Sequence, residues 1–152
     1  MQMLFTLCLP RDEASVPVVR HLCRGALGDL GIAPDCIHDV ELALTEACTN
    51  VLKHTRGTSD EYEVTVEIND YLCEIRVKDA GAGFDYAITG LAEGAPLEEG
   101  GRGVLIMRAL VDSIDFGSAA EDGFAVRLTK RLQSRDGALL DRLVRGSYTR
   151  SS

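Results

Sequence analysis

Apolar residues first recur at every second position, with Met3, Phe5, Leu7 and Leu9 sharing one parity before Pro10. A period of two predicts a strand over residues 1–9. Ser15 and Pro17 then mark a helix start, because proline in the first turn removes only an N–H that has no intrahelical partner. Val18, Leu22, Ala26 and Leu30 supply its apolar stripe, and Gly31 suits its C-terminal cap. A second helix is predicted from Pro34 to about His54, where Ile37, Val40, Leu44, Ala47 and Val51 recur at steps of three and four. Val64, Val66 and Ile68 form a strand face, Asn69-Asp70 a tight turn, and Cys73, Ile75 and Val77 the inward face of the next strand. From Ala80 to Gly101 glycine is dense (Gly81, Gly83, Gly90, Gly94, Gly100, Gly101) and periodicity is lost, which predicts a long mobile loop. Helical text resumes at Gly103. Strands are expected around Ser113–Phe116 and Phe124–Leu128, joined through Glu121-Asp122-Gly123. Residues 133–152 read as a polar C-terminal tail with one amphipathic patch, Leu139, Leu140, Leu143 and Val144. Hairpins separated by helices predict an α+β domain over residues 1–132, a mostly antiparallel sheet with helices on one face.

Composition narrows the class. The chain has 152 residues, 45% hydrophobic and 26% charged, enough for one domain with one core. A formal net charge of −8 disfavours nonspecific nucleic-acid binding, which needs a lysine and arginine surplus. It suits a basic protein partner or a ligand held with Mg²⁺. No apolar run approaches the length of a membrane span. MQMLFTLCLPRDE lacks the basic n-region of a signal peptide. Cys8, Cys23, Cys36, Cys48 and Cys73 contain no C-x-x-C pair and read as reduced, mostly buried cysteines of a cytoplasmic protein. His21, His38 and His54 have no metal-ligand spacing with them.

Three constellations carry candidate chemistry. Glu46, Asn50 and His54 lie along one line of the second helix, at the rim of its buried stripe. An amide oxygen there can ligate Mg²⁺, and a carboxylate one turn away can take a proton from an attacking hydroxyl. The same residues also describe an ordinary polar helix edge. Asp79 continues the parity of Cys73, Ile75 and Val77, so it points inward at a strand end, followed by Gly81 and Gly83. A buried carboxylate needs a partner, and an amine such as adenine N6 is one; a plain strand end before a turn is the alternative. Gly100, Gly101, Arg102 and Gly103 precede an apolar helix. Unpaired N–H groups at a helix start approached through glycines make a phosphate site. The spacing is that of neither a Walker A loop nor a dinucleotide fingerprint.

The order of these blocks resembles the gyrase, chaperone and histidine-kinase (GHKL) ATPase superfamily, whose N, G1 and G2 boxes they match. The segments ELALTEACTNVLKH, VKDAGAGFD and EGGRGVLIMRALVD are similar to the anti-sigma factor serine kinases of bacterial partner-switching systems. The resemblance implies a Bergerat-type two-layer α/β sandwich that binds ATP and Mg²⁺. It implies Glu46 as general base, Asn50 as the Mg²⁺ ligand, Asp79 as adenine reader, Gly81 and Gly83 shaping the adenine pocket, and Gly101 and Gly103 giving the phosphates room. Arg102 would meet phosphate or a partner's carboxylate, and residues 84–100 would be the ATP lid. The implied partners are a sigma factor, an anti-sigma antagonist carrying the substrate serine, and a second copy of the chain. Two features depart from the family pattern. Phe124 follows Gly123 where relatives often carry threonine, although Thr129 lies on the same strand. The lid is acidic, with Glu93, Glu98 and Glu99. The competing reading is an ATP-binding module that sequesters a protein without phosphorylating it, and the bland one is an α+β domain without nucleotide.

Overall fold

The computed structural model describes residues 1–54, 60–79, 99–117 and 126–151; side chains of residues 54, 99–102 and 147–151 lie outside that description. Five strands, β1 (Gln2–Pro10), β2 (Glu61–Asn69), β3 (Leu72–Asp79), β4 (Ser113–Phe116) and β5 (Val126–Arg131), form one antiparallel sheet in the order β1-β2-β3-β5-β4. Among the described residues four α-helices accompany it: α1 (Val16–Asp29), α2 (Pro34–His54), α3 (Glu99–Leu110) and α4 (Leu139–Ser151).

Alternation decides which sheet face meets the helices. Register places Phe5, Val66, Ile75, Leu128 and Ile114 in one row across all five strands, and Leu9, Tyr62 and Asp79 in another. Both rows lie on the face that packs into a core with Val19, Leu27, Val40, Leu44, Ala47 and Val51 of α1 and α2. The sheet therefore has one dry side, as the alternating pattern predicts. The β2–β3 hairpin turns on Asp70 and Tyr71, with Asn69 still paired to Leu72. This moves the turn one residue beyond the predicted Asn69-Asp70. Asp70 takes the left-handed conformation, φ 49°, that short polar side chains tolerate.

Helices α1 and α2 form where the periodicity places them, with one correction to the buried face of α1. In α1 the predicted stripe residues Val18 and Leu22 are exposed, at 49% and 47%, while Val16, Val19, Cys23 and Leu27 are buried. Two apolar rows run side by side along this helix, and period alone does not choose between them. Packing against α2 selects the row containing the small Cys23. The predicted cap holds: Gly31 has φ +81°, its N–H donates to Gly28 O at 3.0 Å, and Ile32 N–H donates to Leu27 O at 3.1 Å. These two bonds make a Schellman closure, with Ile32 and Leu27 both buried beneath it.

Helix α3 begins at Glu99, earlier than the Gly103 start expected from sequence. Gly100 and Gly101 lie inside its first turn, because glycine permits helical dihedrals without favouring them. Of the expected lid, only Glu99 and Gly100 fall on described residues. Gly81, Gly83 and the Glu121-Asp122-Gly123 turn fall outside them.

The C-terminal segment carries α4. Its Leu140 and Val144 join the same core, whereas Leu139 and Leu143 are exposed. Leu140 N–H donates to Leu30 O at 3.0 Å, and Asp141 accepts from Tyr71 Oη at 2.6 Å and Ser134 Oγ at 2.8 Å. These bonds hold the segment against the end of α1 and the β2–β3 turn.

Candidate active site

The second helix presents its polar rim to α3. Val40, Leu44, Ala47 and Val51 are buried, and that stripe fixes the rotation of α2 about its axis. One step round, Asn50 is 4% exposed and Glu46 is half-buried. Gly103, also buried, is the point at which α3 meets them. A Cβ at Gly103 would stand 2.8 Å from Glu46 Oε2, 3.4 Å from Asn50 Oδ1 and 3.5 Å from Asn50 Nδ2. A side chain at this position would push the Glu46 carboxylate back, so glycine lets two segments 53 residues apart in sequence, counted from Asn50 to Gly103, come into close contact in space. The Asn50 Nδ2 is buried and has no hydrogen-bond partner among the described residues. A buried amide N–H₂ of this kind asks for an acceptor that the protein does not supply, such as a phosphate oxygen.

Asp79 ends β3 on the inward face, as its parity predicts, and is 1% exposed. The Arg11 Nη1 is ion-paired with its Oδ2, and Arg11 Nη2 donates to the Leu52 carbonyl at 3.1 Å. One guanidinium thus joins the strand end to the last turn of α2. Beside Asp79 in register stands Tyr62, fully buried. Ser15 Oγ lies 2.6 Å from Asp12 O and shares a 2.7 Å hydrogen bond with Tyr62 Oη in which either hydroxyl can donate. Burial pushes the Tyr62 phenol pKa up, partly offset by Ser15.

Sequence reasoning missed Arg11, Ser15 and Tyr62. Tyr62 was detectable, since it continues the inward parity of Val64, Val66 and Ile68 with a polar tip. Arg11, one residue past the end of β1, carries no local signal. Gly101 and Arg102 lie in α3 close to Gly103, but the Arg102 and His54 side chains lie outside the description. Thr129 does not stand in for the missing threonine. It alternates with the buried Val126 and Leu128, faces away from the helices and hydrogen-bonds Ser113.

Residues 9–130 match the model of the histidine kinase-like ATPase domain. The chain belongs to that family. Among its relatives, the serine-protein kinase RsbW of Halalkalibacterium halodurans is 30% identical over 135 residues, covering 84% of this chain and 82% of the relative. The serine-protein kinase RsbW of Bacillus velezensis is 31% identical over 134 residues, covering 82% of each. A crystal structure of the RsbU and RsbW domains of a Mycobacterium tuberculosis protein shares the fold, with a TM-score of 0.62 at 20% identity. It matches 90% of this chain and 34% of that longer one. This ATPase domain therefore stands with the protein-serine kinases, and its sheet with helices on one face is the two-layer α+β sandwich the resemblance implies. Among the described residues, no helix is long and apolar enough to cross a membrane.

Proposed function

We propose that this kinase transfers the γ-phosphoryl group of Mg-ATP to a serine of a small anti-sigma antagonist in the cytoplasm, and sequesters a sigma factor when the antagonist is absent. The observation that carries the reading is the contact of Gly103 with Glu46 and Asn50. It sets a proton acceptor and an unsatisfied amide together one turn into α3, whose first-turn N–H groups and dipole favour phosphate. Magnesium, when bound, neutralises charge on the phosphates. The donor chemistry fits it: Asn50 would offer Oδ1, the hard oxygen donor that Mg²⁺ takes, to the ion, and its unpartnered Nδ2 to a phosphate oxygen.

The serine oxygen forms a bond to the γ-phosphorus as the bond to the β–γ bridging oxygen breaks, and Glu46 takes the hydroxyl proton. Asp79 accepts the adenine amine, and Gly81 and Gly83 leave the base room. Gly101 and Arg102 line the phosphate end. Residues 1–132 form the catalytic unit in this reading. The position of β1 at the sheet edge supports pairing with a second copy through that strand.

Glu46→Gln tests it. The substitution keeps shape and removes the proton acceptor, so serine phosphorylation followed by mass spectrometry should slow by roughly 10²–10⁴-fold. ATP affinity by calorimetry and sigma-factor capture should persist. A variant that phosphorylates at the wild-type rate removes Glu46 from the base role. A wild type that phosphorylates no antagonist, while still capturing its sigma factor with ATP, leaves a sequestering module.

A further inference from the structure

Arg11 is unused by the chemistry above, yet it is the residue through which the base end of the site and α2 are joined. Its backbone N–H donates to Asp60 O at 2.8 Å, which anchors the chain beside the start of β2. From there the side chain reaches past β2 to Asp79 and Leu52. The Asp79 carboxylate is fully buried and most of the Arg11 side chain is covered. Leu52 lies in the last turn of α2, where carbonyls have no intrahelical donor, so the second nitrogen of the fork meets a group that needs it.

We propose that Arg11 is a positioning residue for nucleotide recognition: by engaging Asp79 Oδ2 and the end of α2 together, it keeps the Asp79 carboxylate ionised and aimed, and so sets selectivity for a 6-amino over a 6-oxo purine. The inference rests on the reading of Asp79 as the acceptor for the base. A carboxylate without a cation in an apolar layer tends to take up a proton. A protonated carboxyl both donates and accepts, and no longer separates an amine from a carbonyl at the same place on the ring. An ionised one only accepts, and it has about four lone-pair sites, so a guanidinium on Oδ2 does not exhaust it. The anchoring to Leu52 matters equally. It ties the direction of the base reader to the helix that carries Glu46 and Asn50, two residues and one further turn upstream. Lysine cannot reproduce this, because a single ammonium lacks the planar fork that spans two acceptors.

Calorimetric affinities for ATP and ITP, measured on the whole chain as wild type, Arg11→Lys, Arg11→Ala, Asp79→Asn and the Arg11→Ala/Asp79→Asn double variant, test the proposal. The wild type should prefer ATP. Arg11→Ala should cut that preference by about tenfold, through weaker ATP binding with little change for ITP. Arg11→Lys should restore part of it, and the double variant should lose no more than Asp79→Asn alone. Thermal melts establish which variants are folded; should Arg11→Ala not fold, Arg11→Lys carries the test, with a smaller loss of the same sign. An unchanged ATP/ITP ratio in the folded arginine variants, with the ratio lost in Asp79→Asn, overturns the role of Arg11 and leaves Asp79 as reader. A ratio unchanged in Asp79→Asn overturns both. Tighter ATP binding in Arg11→Ala would make Arg11 a competitor for the carboxylate, which also overturns the proposal.

Discussion

Gly103→Ala separates the fold from the chemistry at a single methyl group. The new Cβ would lie 2.8 Å from Glu46 Oε2, while Asn50 Oδ1 at 3.4 Å is already at an ordinary contact distance. The Glu46 oxygen must retreat by about 0.6 Å to reach normal van der Waals separation. Because it is the far end of a flexible side chain, the retreat costs about 0.5–1.5 kcal/mol of rotamer strain. Replacing glycine by alanine inside α3 returns about 1 kcal/mol of helix propensity. The two nearly cancel, so the melting temperature should stay within a few degrees of wild type. Catalysis has no such compensation. A proton acceptor displaced by a sizeable fraction of an ångström loses alignment with the attacking hydroxyl, and misplacement on that scale costs on the order of 10–100-fold in turnover. ATP affinity, which on this account depends on Asn50 and Asp79, should change by less than about fivefold. Differential scanning fluorimetry, calorimetry with Mg-ATP and a single-turnover serine phosphorylation assay measure the three quantities. Wild-type turnover in a folded Gly103→Ala protein would refute the claim that the position of Glu46 matters. A collapse in stability would show that α3 cannot tolerate the methyl, and that the glycine serves packing.

Other consequences follow from geometry away from the nucleotide. Gly31→Ala should lower the melting temperature clearly, since φ +81° disfavours a side chain and the Cβ would meet Ala138 Cβ at 2.6 Å; an unchanged melt would contradict the closure drawn for α1. In native protein a small alkylating reagent at pH 8 should mark Cys8, the exposed cysteine, while Cys23, Cys36, Cys48 and Cys73 react only after unfolding. Burial holds the Cys23 and Cys48 thiols protonated, with pKa values pushed up to about 12, and rapid native labelling of either would contradict that core. Hydrogen bonds from Tyr71 and Ser134 hold the Asp141 carboxyl below its ordinary range. A depressed folded-state pKa contributes stability above the unfolded value that is lost as pH falls through the folded one. Protection factors in α4, corrected for intrinsic exchange, should therefore fall before those of the sheet as pH drops below the ordinary carboxylate range, and Asp141→Asn should remove that pH dependence.

Much of the site was legible from residue order. Glu46 and Asn50 fall on one line of α2 because 3.6 residues per turn brings every fourth residue round, whatever the helix packs against. The inward direction of Asp79 follows from strand parity in the same way. These are local properties, and the chain settles them within one element. The α+β class follows from the succession of such elements.

Other features depend on residues far apart in the chain, and for those local pattern has no information. The apolar rows of α1 are both adequate stripes, and only the shape of α2 chose Val19, Cys23 and Leu27 over Val18 and Leu22. Leu140 and Val144 look like an isolated patch until Leu30 and Tyr71 are brought beside them. Pairing of Arg11 with Asp79 requires β1, β2 and β3 to lie side by side, with the end of α2 above them. The approach of Gly103 to Glu46 and Asn50 requires two helices to close on each other. By itself the sequence determined which elements form and which way each side chain leaves its own backbone, because helix and strand periods are set by backbone geometry alone. Tertiary structure decided which of those faces meet, because burial and close packing are properties of the whole chain folded at once.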